Sequence, residues 1–180
     1  MARGDGFTLL EIMAALAVVA ILIALAIPVF RETLLNTRRD EALAGLTRSL
    51  HLARSESLRS GRATVVCSLD ATGRCVPRDI DWSHGWQVFV KQDDDDTTRL
   101  ADSDRLLLEQ RSSDGSLLST NRHTYVYRPF NRRSTNGSFI FCDPRGARSA
   151  RAVIVSHTGR PRVSDRDSNG KPLTCPEVAP

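Results

Sequence analysis

The side chains able to do chemistry in this chain are few, and most stand alone. Glu11 is the sharpest case, because the 19 residues between it and Arg31 are all uncharged. A carboxylate near the centre of a membrane helix costs about 2.5–3.5 kcal/mol, and less near the interface, so it calls for a partner. Cleavage after Gly6 would create one. Phe7 would then carry a new α-amino group one helical turn before Glu11. His51, His84, His123 and His157 are scattered singly and form no H-E-x-x-H or Cys/His metal pattern. No glycine-rich phosphate loop is present either. No catalytic residue, metal site or cofactor is therefore expected. The run Asp93–Asp96 invites calcium, but an EF-hand loop starting at Asp93 needs Gly sixth and Glu twelfth. Thr98 and Asp104 stand there, so the run reads as a solvated acidic loop.

Arginine is the other chemical theme, supplying all but two of the 25 basic residues. Its fork suits phosphate and carboxylate better than an ammonium does. The charge is unevenly divided. Residues 1–78 are net +3, residues 79–119 net −6 and residues 120–180 net +7. The basic C-terminal third contains Arg148, Arg151, Arg160, Arg162 and Lys171. Within "TGRPRV", Arg160 and Arg162 are two apart, so in a strand they point the same way. Such a pair can reach one phosphate backbone, binding by charge with little base reading. The plain alternatives are a solvated hairpin, pairing with Asp165 and Asp167, or docking of another protein. Aromatic residues for base stacking look sparse near the pair.

Four cysteines, Cys67, Cys75, Cys142 and Cys175, lack CxxC spacing. Beyond an apolar segment, an even count points to disulfides in an oxidising compartment, with buried free thiols as the alternative. Three connectivities are open. The favoured one pairs Cys67 with Cys75 across a short loop and Cys142 with Cys175 to tie down the tail.

These groups must be carried by recognisable elements. From Phe7 to Phe30 a helix would rise about 36 Å, enough to span a bilayer. "MARGDG" lacks a basic leader and "AIPVFRET" is a poor cleavage site, so the helix reads as retained. Beyond Pro28, Leu35, Leu43, Leu46, Leu50, Ala53 and Ser57 mark one helical face running to about Ser60, with Gly61 as the stop. Strands are expected near residues 63–69, 86–90, 105–110, 124–129, 138–142, 152–156 and 161–164. "NG" at 136–137 and "TG" at 158–159 read as turns between them. Helix first and strands afterwards predicts an α+β fold, an antiparallel sheet packed on the C-terminal half of the helix.

"G-FTLLE" ahead of an apolar helix resembles the class III signal of type IV pilins and type II secretion pseudopilins. That resemblance implies cleavage after Gly6 by a prepilin peptidase and N-methylation of Phe7. It also implies a Glu11 carboxylate that pairs with a neighbour's amino terminus during assembly. "LHLARSESLRSGRATVVCS" (50–68), "HGWQVFV" (84–90), "SFIFCDPRG" (138–146) and "ARAVIVSHTGRPRVS" (150–164) narrow the likeness to the FimT/GspH group of minor pilins. The implied organisation is a leader over 1–6, a membrane and filament-core helix over 7–30, an amphipathic helix over 31–61 and a β-rich domain over 62–180. The implied location is the inner membrane, single-pass, with the domain in the periplasm before entry into a pilus or pseudopilus. Arg31, Arg38 and Arg39 beyond the apolar run oppose the positive-inside tendency, so this topology rests on the resemblance. Expected partners are the peptidase, other major and minor pilins, the membrane and double-stranded DNA. In FimT-like proteins a G-R-x-R motif is implicated in DNA uptake for natural transformation, and Gly159, Arg160 and Arg162 match it. The alternative is a purely structural minor pseudopilin of a type II secretion system. Neither reading is an enzyme.

Overall fold

The computed structural model describes residues 8–76, 81–92, 100–112, 117–130 and 134–175. Among the described residues one helix, α1 (Leu9–Ser60), is followed by eight strands and a single 3-10 turn, Ala147–Ser149. The chain divides into two compact units, 1–38 and 39–180.

Among the described residues the first unit is helical from Leu9 onward, with Pro28 inside the helix. Every described side chain from Thr8 to Leu34 is exposed. Thr33 and Thr37 satisfy their hydroxyls within the helix, donating to the carbonyls of Val29 and Thr33 at 3.0 Å. Such back-bonding lets a hydroxyl sit in an apolar setting without an unmade hydrogen bond.

In the second unit the helix buries a stripe of Leu43, Leu46, Ser49, Leu50, Ala53, Glu56 and Ser57. The steps of three and four place these residues on one face. Two four-stranded antiparallel sheets enclose that stripe. The first contains β1 (Thr64–Ser68), β2 (Gly85–Val90), β3 (Arg105–Arg111) and β5 (Thr124–Tyr127), in the order β3-β2-β1-β5. The second contains β4 (Leu117–Thr120), β6 (Gly137–Cys142), β7 (Arg151–Val155) and β8 (Pro161–Ser164), in the order β4-β6-β7-β8. The sequence pattern pointed to one sheet and passed over β4. "LLST" has little β-branched or aromatic character, and pairing with β6, with a bridge from Asp81 to Ser119, makes it a strand.

The core joins Leu46 and Leu50 to Val66, Trp86 and Val88 of one sheet and Phe139, Phe141 and Val153 of the other. Trp82 meets Phe139 edge-on at 4.9 Å, and Tyr125 stacks on Phe139 at 4.4 Å. The polar members of the helical stripe are satisfied. Trp86 Nε1 donates to Ser49 Oγ at 2.9 Å, and Ser57 Oγ donates to the Tyr127 carbonyl at 3.0 Å. Both bonds fix the rotation of the helix against the first sheet. The outer face of each sheet has its own small cluster. Val65, Cys67, Phe89 and Val126 cover one, and Ala152, Ile154 and Leu173 the other. Disulfides Cys67–Cys75 and Cys142–Cys175 border these clusters, with Cα atoms 5.7 and 5.8 Å apart. The second ties the C-terminal segment onto the second sheet.

Gly137 is not a turn glycine. It opens β6, pairs with Val155 and has no positive φ. A Cβ there would lie 2.5 Å from the Tyr125 hydroxyl oxygen, so the glycine answers a close approach rather than a hairpin.

Between β2 and β3, Lys91 Nζ bonds Asp104 Oδ2 at 2.7 Å, with both side chains buried. Asp104 also accepts from the backbone N–H groups of Gln92 at 3.0 Å and Ala101 at 2.9 Å. Burial opposes its ionisation, but these donors outweigh that and hold the carboxyl below its ordinary value of 3.8. The group therefore adds stability at neutral pH, lost as pH falls below about 4. Replacing Asp104 with alanine removes a carboxylate that serves a buried ammonium and two backbone N–H groups. We expect a loss of about 3 kcal/mol, read as a shifted urea midpoint. Glu109→Gln, on the exposed edge strand β3, should cost less than ~1 kcal/mol.

Candidate functional site

The β7–β8 hairpin is built by its turn. In Ser156–Arg160, the Ser156 N–H donates to the Arg160 carbonyl at 3.1 Å and the Gly159 N–H to the Ser156 carbonyl at 2.8 Å. Arg160 N–H donates to Ser156 Oγ at 3.2 Å. Gly159 has φ 72°, and a Cβ on it would lie 2.8 Å from Tyr127 Cε1. It is buried and offers nothing to a ligand.

The same construction occurs at Asp70–Arg74 and Asp167–Lys171. In each, the first residue's N–H donates to the fifth residue's carbonyl, at 2.9 Å in both turns. Its carboxylate accepts from the backbone of the third and fifth residues, as with Lys171 N–H to Asp167 Oδ1 at 2.8 Å. Gly73 and Gly170 have φ 83° and 78°. Thr72 and the other donors hold the Asp70 carboxyl below its usual range. A glycine followed by a cation is thus turn grammar in this protein, placing Arg74, Arg160 and Lys171 alike. Arg162, two residues into β8, is outside that grammar.

Arg160 and Arg162 are exposed at and beside the edge strand β8, with Arg162 opposite Ile154. Among the described residues neither guanidinium has a hydrogen bond or ion pair, including with Asp165 or Asp167. The other predicted contacts lie elsewhere. Arg148 is in the 3-10 turn, and Arg151 begins β7 with Nη1 on the Ala150 carbonyl at 2.9 Å. That end of the sheet is tied to the start of the domain's helix by Arg39 Nη1, 3.1 Å from the Ser149 carbonyl. The hairpin turn packs on Tyr127, which Ser57 ties to the far end of that helix. From Arg39 to Ser57 is about 27 Å along the axis. Lys171 sits in the turn beyond the opposite end of β8. Only Arg160 and Arg162 are brought together.

At the other functional region, Gly6 and Phe7 lie outside the described residues. Glu11 is described. Thr8 Oγ1 accepts from the Glu11 N–H at 3.3 Å, and Glu11 Oε2 accepts from the Thr8 N–H at 3.5 Å. This is a capping box, legible as T-x-x-E in the sequence though not anticipated. Asp93–Asp96, Arg132 and Arg133 also lie outside the described residues. Asp104, twelfth in the EF-hand frame, is fully engaged by Lys91 and two N–H groups. Among the described residues no group of His, Cys, Asp or Glu is placed to hold a metal. The four histidines are exposed. An open groove of about 400 Å³ runs between Gly45, Arg48, Ser49 and Leu52 of the helix and Leu108 and Gln110 of β3. It brings no catalytic constellation together.

One residue was overlooked. Phe130 is 73% exposed, while every other described aromatic of residues 39–180 is buried. Its φ of 47° is the left-handed conformation, rare for an aromatic residue. The sequence signal was its setting in "RPFNRR" (128–133).

A family model described as Type II transport protein GspH matches residues 42–159. The prokaryotic N-terminal methylation motif matches residues 1–27. Two crystal structures of the type IV minor pilin FimU from Pseudomonas aeruginosa (strain PAO1) share the fold. One, in space group P65, has a TM-score of 0.55 at 19% identity, covering 76% of this chain and 98% of that one. The other, in space group P21, has a TM-score of 0.56 at 20% identity, covering 77% and 96%. No curated protein matches in sequence.

Gly159→Ala should lower stability by about 1–3 kcal/mol through backbone strain and the Tyr127 clash. Arg160→Gln should leave the thermal midpoint unchanged, which separates the architectural residue from the exposed one.

Proposed function

The chain belongs to the GspH family of type II transport proteins, and we propose that it is a minor type IV pilin that contributes to DNA capture. It is made with a leader over 1–6 that a prepilin peptidase removes after Gly6, methylating Phe7. Residues 7–30 hold it in the inner membrane and later pack among other major and minor pilins. Residues 31–61 continue the helix into the β-rich periplasmic domain, 62–180. Its role is structural and ligand-binding rather than catalytic.

Two observations support the separate parts of this reading. The apolar surface of residues 9–30 is wholly exposed in the single chain, so lipid or neighbouring helices must cover it. Glu11 heads that surface, and its carboxylate reaches the amide of Thr8, next to the future amino terminus. For DNA, the supporting observation is the pair of unpartnered guanidinium groups, Arg160 in the turn just before an edge strand and Arg162 within it. They suit phosphate contacts with little sequence preference. The second reading, a pseudopilin of a type II secretion system, is favoured by the description of the matching family model.

Glu11→Ala should be cleaved and methylated normally yet be missing from sheared filaments. Normal incorporation would contradict the assembly role. For DNA, the full chain in neutral detergent is titrated with a short duplex at several salt concentrations. Wild type should bind and weaken with salt. Arg160→Gln/Arg162→Gln should lose most affinity and flatten the log–log salt slope by roughly 2. Equal binding by the variant would remove the hairpin as the site and favour the secretion reading.

A further inference from the structure

We propose that the hairpin surface takes single-stranded DNA in preference to duplex, with Phe130 stacking on an unpaired base. This rests on the DNA-binding reading and names the form of strand that the same surface prefers.

The domain hides its aromatic residues thoroughly. Trp82, Phe89, Tyr125 and Phe139 are 0% exposed, and Trp86, Tyr127 and Phe141 no more than 3%. Against that background a ring left 73% exposed is anomalous. Its backbone adds a second anomaly, because φ 47° costs a bulky residue about 1–3 kcal/mol. Glycine or asparagine at this position would avoid most of that strain. The conformation carries the ring over the helix end, where a Cβ on Gly61 would lie 3.7 Å from Phe130 Cε2. The opposite ring face is left to solvent.

The cations stand around the same end of the domain. Phe130 follows Tyr127 by three residues, and the Tyr127 ring underlies Gly159, the residue before Arg160. Arg128 directly follows β5, and its N–H donates to Ser134 Oγ at 3.4 Å; the Ser134 Cβ is 3.6 Å from the Cβ position of Gly159. An exposed ring at the same end of the domain as two free guanidinium groups supplies the elements of a single-strand site. The charges follow the backbone, and the ring takes a base of any identity. In a duplex the bases are already stacked and paired, so the ring gains nothing. An exposed ring is equally a means of gripping another protein, but the neighbouring positive charge favours the polyanion.

The test uses the full chain in neutral detergent, with an oligothymidine strand and a duplex of equal phosphate count. Phe130→Ala should weaken the single strand about tenfold and leave the duplex unchanged. That loss should persist at high salt, whereas the deficit of Arg160→Gln/Arg162→Gln shrinks as salt rises. Phe130→Trp should bind the strand as wild type does, with its indole fluorescence quenched by the bound base. Trp82 and Trp86 are buried, so a base bound at the surface leaves their emission unchanged. If Phe130→Ala matches wild type on both substrates, stacking is overturned while the DNA reading stands. Loss of co-purifying pilins in that variant would then assign the ring to a protein contact. Equal weakening on both substrates would overturn stacking and make Phe130 a support for the loop. If wild type binds neither substrate, both readings fall.

Discussion

Everything in the domain depends on the helical stripe from Leu43 to Ser57. Two sheets of short strands need an apolar surface between them, and that stripe supplies it. Leu46, Leu50 and Ala53 are fully buried there. Ser49 and Ser57 add direction. Their bonds to Trp86 and the Tyr127 carbonyl allow one rotation of the helix and penalise the others. An apolar stripe alone would tolerate sliding, because hydrophobic burial is non-directional. The two disulfides act at the periphery, closing the outer clusters rather than the central one.

The same helix carries two incompatible solvation demands. Residues 43–57 carry a stripe buried within the domain, while residues 9–30 form an exposed apolar helix. That division suits the proposed passage from membrane to filament, because both environments would cover the same apolar surface. Glu11 is the one polar group on that surface, and its hydrogen bond to Thr8 keeps it at the helix start. A carboxylate there favours the positive end of the helix dipole and any amino terminus presented to it.

Much of this was legible in the sequence, for identifiable reasons. The helix stop at Gly61 and the stripe from Leu43 to Ser57 follow from periodicity and turn chemistry. Seven of the strands announce themselves through β-branched and aromatic runs. The eighth, "LLST", does not, because its strand character comes from its neighbour β6. Division into two sheets was equally hidden, since pairing partners are set by tertiary context. Gly137 misled because Asn-Gly is a strong turn signal, and nothing local reveals that Tyr125 will press against it. The basic third looked like one patch in the sequence, but the fold spreads Arg148 and Arg151 to the far end from Arg160 and Arg162. Lys91 and Asp104 illustrate a different limit. Their burial together depends on β2 and β3 pairing, and it turns an apparent acidic-loop residue into part of the core.

The account rests on a helix that is kept after processing and used for assembly. The most direct test is the mass of the N-terminal peptide of the mature protein, recovered from the membranes or filaments of its own cells. The account predicts a peptide beginning at Phe7, with one methyl group on its α-amine and Glu11 intact. A chain that retains residues 1–6, or one that begins beyond the apolar run, would contradict it.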